Sequence, residues 1–240
     1  MKRIQISEVR SLSLQGEAAV QEDFVSFSVD KGVFVVADGF GGRGVGDKVS
    51  RIVCEQIRYF LEKEAGDLEA TMPFVLRKYY TLAGNVLFNA ILHGNRNAQS
   101  FNRGKNIHER GGASTLAAFI NGSVLALAQV GACSAWLYRN LQWSRLCTPR
   151  TYQQMVDPAT SESLLYWQAP LSAVGMTDDL EPEIFEYRML SGDVLLLQSP
   201  GVLSAHRKHL VHSETGLLDL KSVEELAGFA QNASLLAIRF

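Results

Sequence analysis

Two long stretches of helical periodicity stand next to each other in this sequence, with runs of β type before and after them, and that order limits the fold more than any other feature. The first runs from about Asp47 to Glu64, where Val49, Ile52, Val53, Ile57 and Phe60 recur at helical spacing, and the second from about Met72 to about Leu92. Repeated βαβ units would alternate strand and helix, so consecutive helices among strands predict α+β segregation. The strands are short. Ile4 to Leu14 and Phe24 to Val29 alternate apolar and polar residues, and Val33 to Ala37 is a continuous apolar run suited to a buried strand, reached through the turn Asp30-Lys31-Gly32. A polar segment from His93 to Arg110 reads as mobile. Strands resume at Ser114 to Ile120, Val124 to Val130 and Ser134 to Tyr138, with a hairpin signal at Asn121-Gly122, where both residues tolerate positive φ, and another near Arg139-Asn140. Residues 148 to 170 look irregular. A strand pair, Ile184 to Arg188 with Val194 to Gln198, an amphipathic helix near Ser222 to Ala230, and a last strand from Ser234 to Phe240 complete the pattern. The predicted fold class is α+β: two antiparallel β-sheets packed as a β-sandwich flanked by helices, the two long ones on one outer surface.

With 47% hydrophobic residues among 240, the chain can bury one large core, and no repeat, linker or low-complexity tract divides it, so residues 1–240 are expected to form a single domain. A formal net charge of −2 excludes a general attraction to nucleic acid or to an anionic membrane, leaving room only for a local basic patch. The N-terminus lacks the apolar stretch of a signal peptide, and no segment approaches the ~18 apolar residues that span a bilayer. Cys54, Cys133 and Cys147 are odd in number, far apart and without metal or disulfide spacing. A cytoplasmic protein is the expectation.

The chemistry is concentrated in Gln21-Glu22-Asp23-Phe24 and Val35-Val36-Ala37-Asp38-Gly39-Phe40-Gly41-Gly42. A carboxylate at the end of a buried strand, followed by glycines that let backbone carbonyls approach a cation, suits an oxygen-ligand site for magnesium or manganese. The plainer alternative is that Asp38 opens a glycine-rich turn while Glu22 and Asp23 are solvated loop charges.

Further segments follow in order: Gly112-Ala113-Ser114-Thr115-Leu116, Val130-Gly131-Ala132-Cys133-Ser134, Ser191-Gly192-Asp193-Val194-Leu195-Leu196-Leu197-Gln198-Ser199-Pro200-Gly201-Val202-Leu203, and Gln231-Asn232-Ala233-Ser234. In order and approximate spacing they resemble the landmarks of the metal-dependent protein serine/threonine phosphatases of the 2C type: an acidic pair after Arg, then DGxGG, GTT, VGDSR, GDxLLLxSDGL and DNxT. The resemblance covers roughly residues 15 to 240. It implies a β-sandwich flanked by helices, with two divalent cations bridged by an aspartate and a water that attacks phosphoserine or phosphothreonine. On this sequence the resemblance makes Asp38 the bridging ligand, gives the Gly39 carbonyl and Glu22 to the second metal, and has Asp23 support the site.

The departures from the family pattern are concentrated at the metals. Pro200 replaces the aspartate of SDG, Gln231 that of DN and Ala132 that of GDS, while Ala18 takes the place of the phosphate-contacting arginine. Proline offers neither a side-chain ligand nor an N–H, and a neutral amide coordinates more weakly than a carboxylate. Since disturbing outer-shell partners alone typically costs ~10–100-fold, losing two charged ligands is expected to cost more. One weakly held Mg or Mn ion, or none, is the expectation, and no residue is assigned a catalytic role.

Other candidates have simpler explanations. His206, His209 and His212 are poorly placed to share one helical face, and with Arg207 and Lys208 they read as a solvated basic loop or helix end, a cluster that would also suit an acidic or phosphorylated partner. His93 and His108 carry no such pattern. Ser114 lacks the flanking glycines of a nucleophile elbow, and Gly39 to Gly46 lacks the Gly-Lys-Ser/Thr ending of a P-loop. Trp136, Trp143 and Trp167 read as core or interface aromatics. The leading expectation is a pseudophosphatase that works by binding a protein partner, such as a phosphoprotein, a kinase or an active phosphatase. The alternative is a divergent active enzyme using Glu22, Asp23 and Asp38 with a replacement ligand such as Asp193, Asp178 or Asp179, and the remaining reading is an unrelated β-sandwich binding domain.

Overall fold

The computed structural model describes residues 4–41, 44–64, 76–156, 169–211, 218–225 and 231–240. Gly42, the expected helix start at Met72, Trp167, His212, the expected helix end at Ala230 and most of the irregular stretch before Pro170 lie outside the described residues.

Two five-stranded antiparallel sheets pack face to face. In spatial order the first holds β1 (Glu8–Leu14), β10 (Ala233–Arg239), β9 (Val194–Gln198), β6 (Ser134–Arg139) and β7 (Gln142–Cys147). The second holds β2 (Asp23–Ser28), β3 (Val33–Gly41), β4 (Gly111–Asn121), β5 (Val124–Val130) and β8 (Glu183–Arg188). The continuous apolar run of β3 is explained by its two covered faces. Phe34 and Val36 enter the core between the sheets with Leu116, Leu127, Leu195 and Leu236. Val33, Val35 and Ala37 face the other way, against α1 (Gly46–Glu64) and α2 (Leu82–Asn102), whose Val53, Ile57, Leu87 and Ile91 pack on the small Ala117, Ala126 and Ala128 of the sheet. Each such fully buried aliphatic side chain is worth roughly 1.5–3 kcal/mol. The outer face of the first sheet is covered in turn by α4 (Ser204–Leu210) and α5 (Leu220–Glu224), through Leu210 and Val223 on Leu12, Leu196 and Leu235. A short helix, α3 (Tyr152–Val156), lies between β7 and β8 in the chain. Among the described residues no helix is long and apolar enough to cross a membrane.

The sandwich and its two long helices are as the sequence predicts, with two differences. The second helix begins at Leu82, where the Thr81 hydroxyl accepts from the Gly84 N–H as N-cap, and it continues through Asn102, so the first half of the supposedly mobile polar segment is helical. Its polar residues are buried tethers: Asn95 accepts from the Gly175 N–H at 2.7 Å and donates to the Thr177 carbonyl at 2.9 Å, while Asn102 donates to the carbonyls of Gly111 at 2.7 Å and Gly175 at 3.0 Å. Polarity read as exposure therefore misplaced the helix end. Second, β8 and β9 do not pair with each other. β8 pairs with β5, and β9 lies between β10 and β6 in the opposite sheet. The connecting turn crosses between layers at Gly192 (φ +90°), fastened by Gly192 N–H to Phe240 O at 2.7 Å and by the buried Asp193 ion-paired to Arg139 at 2.6 Å.

Candidate metal centre

The register of β2 and β3 sets Asp23 directly opposite Asp38, and that of β3 and β4 sets Asp38 opposite Ser114. Alternation along β3 puts Asp38 on the face that carries Phe34 and Val36, so this polar row closes the end of the inter-sheet core. Across the sandwich, Ser199, which follows β9, donates its hydroxyl to Asp23 Oδ2 at 2.7 Å and accepts from the Ser234 N–H at 2.9 Å. Ser234 Oγ in turn lies 2.7 Å from Ser13 Oγ. Asp23 is thus the point where the two sheets are joined at this end.

Glu22 is placed by backbone contacts. Its N–H donates to Asn232 Oδ1 at 2.8 Å, and its carbonyl accepts from the Gly39 N–H at 3.1 Å. Asn232 also donates to the carbonyls of Gln15 and Val20, at 2.9 and 3.0 Å, so one amide holds the whole loop that carries the acidic pair. A Cβ on Gly39 would sit 2.2 Å from the Gly46 carbonyl oxygen, and one on Gly46 would sit 2.6 Å from Glu22 Oε1. Those two glycines let β3, the Glu22 loop and the start of α1 converge, and the Gly46 N–H supports the Glu22 carboxylate.

The electrostatics show how crowded the acids are. Asp38 is held well above the usual carboxylate range, first by burial, then by the Asp23 charge and a proton shared with Asp23, then by Glu22. Asp23 is raised by burial, against the opposing pull of hydrogen bonds from Ser199, Asp38 and Ser234. Glu22 is raised by burial, with Gly46 opposing and the charges of Asp47 and Asp23 adding. Asp23 Oδ1 is buried with no partner when both aspartates are ionised, so the proton that Asp38 retains is its available donor; Ser114 Oγ beside them is also buried without a partner.

The structure therefore brings Glu22, Asp23, Asp38 and Gly39 together, and it places the substituted positions at the same end of the sandwich. Pro200 follows Ser199 directly, and Gln231 precedes Asn232. A Cβ on Gly201 would sit 2.0 Å from the Asn232 carbonyl oxygen, so these two turns are in contact. Ala132 and Pro200 line one cavity, while Ala18 lies in the loop before β2 and accepts from Gln15 Nε2 at 2.7 Å. The replacement carboxylates considered from the sequence have other engagements: Asp193 pairs with Arg139, and Asp178 accepts from Gln99 on α2 at 2.8 Å, while Asp179 is exposed. Among the described residues no group of three or more His, Cys, Asp or Glu side chains is arranged to hold a metal ion. Sequence reasoning assigned no role to Ser199, Ser234 and Asn232, whose importance lies in contacts across the sandwich.

The sequence model of the family described as Protein phosphatase 2C matches residues 13–178. Comparison with curated protein sequences gives no match. Among solved structures the chain is similar to the Mycobacterium tuberculosis serine/threonine phosphatase PstP/Ppp, with 21% identity, a TM-score of 0.79 and coverage of 97% of this chain and 98% of that one. It is also similar to the PPM Ser-Thr phosphatase MsPP from Mycobacterium smegmatis, at 15% identity and TM-score 0.79 over 99% and 100% of the two chains. PppA of Pseudomonas aeruginosa, described as a key regulatory component of T6SS, gives 22% identity and TM-score 0.73 over 98% of each chain. With this sandwich and a match over more than half of its length, the chain belongs to the protein phosphatase 2C family.

Proposed function

We propose that this chain is a catalytically impaired member of the family that serves as a regulatory or binding protein in phosphorylation signalling. The observation that carries the reading is the pairing of a retained acidic row, Glu22, Asp23 and Asp38, with Pro200 and Gln231 on the turns that face it. Without the opposing pair, Glu22, Asp23 and Asp38 are the carboxylates left to neutralise two divalent cations, and fold alone does not secure activity. A single Mg or Mn ion at Glu22, Asp38 and the Gly39 carbonyl is the most this donor set supports.

The test is a calorimetric titration with manganese and magnesium beside a phosphatase assay on an aryl phosphate and a phosphothreonine peptide, with Asp38→Ala as control. The expected outcome is no binding in the micromolar range and no turnover that depends on Asp38. Metal-dependent turnover lost in Asp38→Ala would instead show an active enzyme with an unassigned ligand in place of Pro200 and Gln231.

A further inference from the structure

The basic cluster read from the sequence around Arg207 is divided in the structure, which corrects its reading as a solvated loop. Lys208 and His209 are exposed, whereas His206 and Arg207 are buried. Arg207 donates from Nη1 to Gln198 Oε1 at 3.2 Å, and its guanidinium lies 3.8 Å from the centre of the Trp136 ring. Exposed cations gather instead where α2 ends. Between Phe101 and Gly111 the chain carries Arg103, Lys105 and Arg110, with Arg96 two turns earlier on the helix and Glu109 as the single carboxylate.

This loop is built to hold one shape. The buried Asn102 closes it, donating to the Gly111 carbonyl at 2.7 Å and accepting from the Gly111 N–H at 3.1 Å. Within it Gly104 takes a φ of +77° and a 3₁₀ turn runs over Ile107–Glu109. Glu109 accepts from the N–H and from the side-chain amide of Asn106, both at 3.3 Å, so the one carboxylate is engaged inside the loop. The half-buried Lys105 keeps its ammonium 3.1 Å from the centre of the Phe101 ring. Arg110 is held by Nε alone, which donates to the Lys105 carbonyl at 3.0 Å. Neither its terminal amino groups nor the Arg103 guanidinium hydrogen-bonds or ion-pairs with any described residue, and both side chains are exposed. Ile107, between Lys105 and Arg110 in the chain, is 70% exposed.

A guanidinium with both terminal amino groups open presents the donors that a carboxylate accepts, and a loop already fixed in shape loses little freedom when it pairs. A membrane surface or a nucleic acid is held through roughly four to ten cations, whereas this loop offers Arg103, Lys105 and Arg110 with Glu109 among them. The exposed Ile107 adds an apolar contact that a peptide side chain can meet. We propose that residues 103–110 form a docking surface for an acidic segment of a protein partner, whose carboxylates meet Arg103, Lys105 and Arg110 around an apolar contact at Ile107. The inference names the chemistry of the partner in the binding role proposed above and rests on that role for there being a protein partner. Gly111, where β4 begins, lies opposite Gly41, three residues beyond Asp38 on β3, which sets the loop roughly 10 Å along the strand from the acidic row. A segment seated there is held at the same end of the sandwich and needs neither metal nor turnover.

The experiment is fluorescence anisotropy on the full chain in a metal chelator, with a labelled peptide that carries glutamates on both sides of a leucine, the same peptide with glutamines, and a single-stranded oligonucleotide, beside co-sedimentation with phosphatidylserine vesicles. Saturable binding of the acidic peptide, weakened by added salt, is expected, with none of the glutamine peptide. Arg103→Gln and Arg110→Gln should each weaken it about three- to fivefold, the upper range for an exposed ion pair. Ile107→Ser should weaken it with the salt dependence unchanged, and Lys63→Gln, which removes an exposed cation at the end of α1, should have no effect. All four side chains are exposed, so each variant should keep its fold by circular dichroism. Absence of acidic-peptide binding, binding indifferent to both arginine substitutions, or an equal loss in Lys63→Gln would overturn the surface. Oligonucleotide or vesicle binding that the arginine variants lose, with the peptide unbound, would overturn the assignment to a protein partner. Metal-dependent turnover in the phosphatase assay above, with peptide binding still dependent on Arg110, would remove the reading of catalytic impairment and leave the surface in place.

Discussion

Asp38 faces Asp23 across the β2–β3 register and retains its proton because burial and two neighbouring carboxylates oppose its charge. The sign of the resulting pH dependence follows from proton counting. Above the unfolded value of about 3.9, the unfolded chain has released this proton while the folded protein still holds it, so stability falls as pH rises through the raised folded value. Metal-free protein is therefore expected to lose stability on this account as pH rises from about 4 toward the raised folded value. Asp38→Asn, which keeps a donor for Asp23 Oδ1 without the charge, should remove that slope and raise stability at pH 7 by about 1 kcal/mol, read from urea melts at several pH values. Equal slopes in the two proteins would contradict the assignment. The thiols give a second residue-scale expectation. Burial raises Cys54 and Cys133 well above the usual thiol range and pushes Cys147 up to about 12, and all three are free. Iodoacetamide at pH 8 should leave the native protein unmodified by mass spectrometry and label every cysteine once it is denatured. At this scale the sequence was informative where the chain itself makes the site: Asp38 follows a buried apolar run and precedes glycines, although the strand continues past it to Gly41. It was silent on Ser199 and on the stacking of Arg207 on Trp136, since both depend on residues brought together from separate parts of the chain.

Asn232 acts for its loop as a cap acts for a helix, donating to Gln15 and Val20 and accepting from Glu22 with one side chain. Asn232→Ala leaves the Glu22 N–H and two carbonyls without that partner, and should cost about 1–3 kcal/mol in a denaturant melt. Gly201→Ala places a methyl 2.0 Å from the Asn232 carbonyl oxygen and should be at least as costly; a thermal midpoint equal to wild type would refute the close approach of the two turns. The elements themselves were legible wherever a single periodicity governs them. β5 and β9 fall on their predicted ends, and α1 starts one residue before its predicted position, whereas α2 was displaced because its last turns bury asparagines. Likewise Ile184 to Arg188 and Val194 to Gln198 read as a strand pair from proximity in sequence, but a short turn changes sheet as readily as it reverses a strand.

The molecule as a whole depends on one long-range pairing: β10 lies between β1 and β9, in register from Leu14↔Ala233 to Glu8↔Arg239 on one side and against Leu195 to Leu197 on the other. Leu235, Leu236, Ala237 and Ile238 are buried, so deletion of residues 233–240 should abolish the cooperative urea transition. Deletion through Leu14 removes an edge strand with several exposed positions and should keep a cooperative transition at a lower midpoint. Alternation of apolar positions identified the first of these strands and an apolar run the last, but pairing between such distant segments leaves no trace in either one. The same arrangement has a consequence for synthesis. A ribosome delivers β10 after every other strand described here, so β1 and β9 wait with open edges and uncovered leucines while the helix-backed sheet can already form. Closure of the sandwich, and with it the meeting of Ser199 with Asp23, waits until β10 has emerged from the exit tunnel, and until then chaperones compete for the same apolar face.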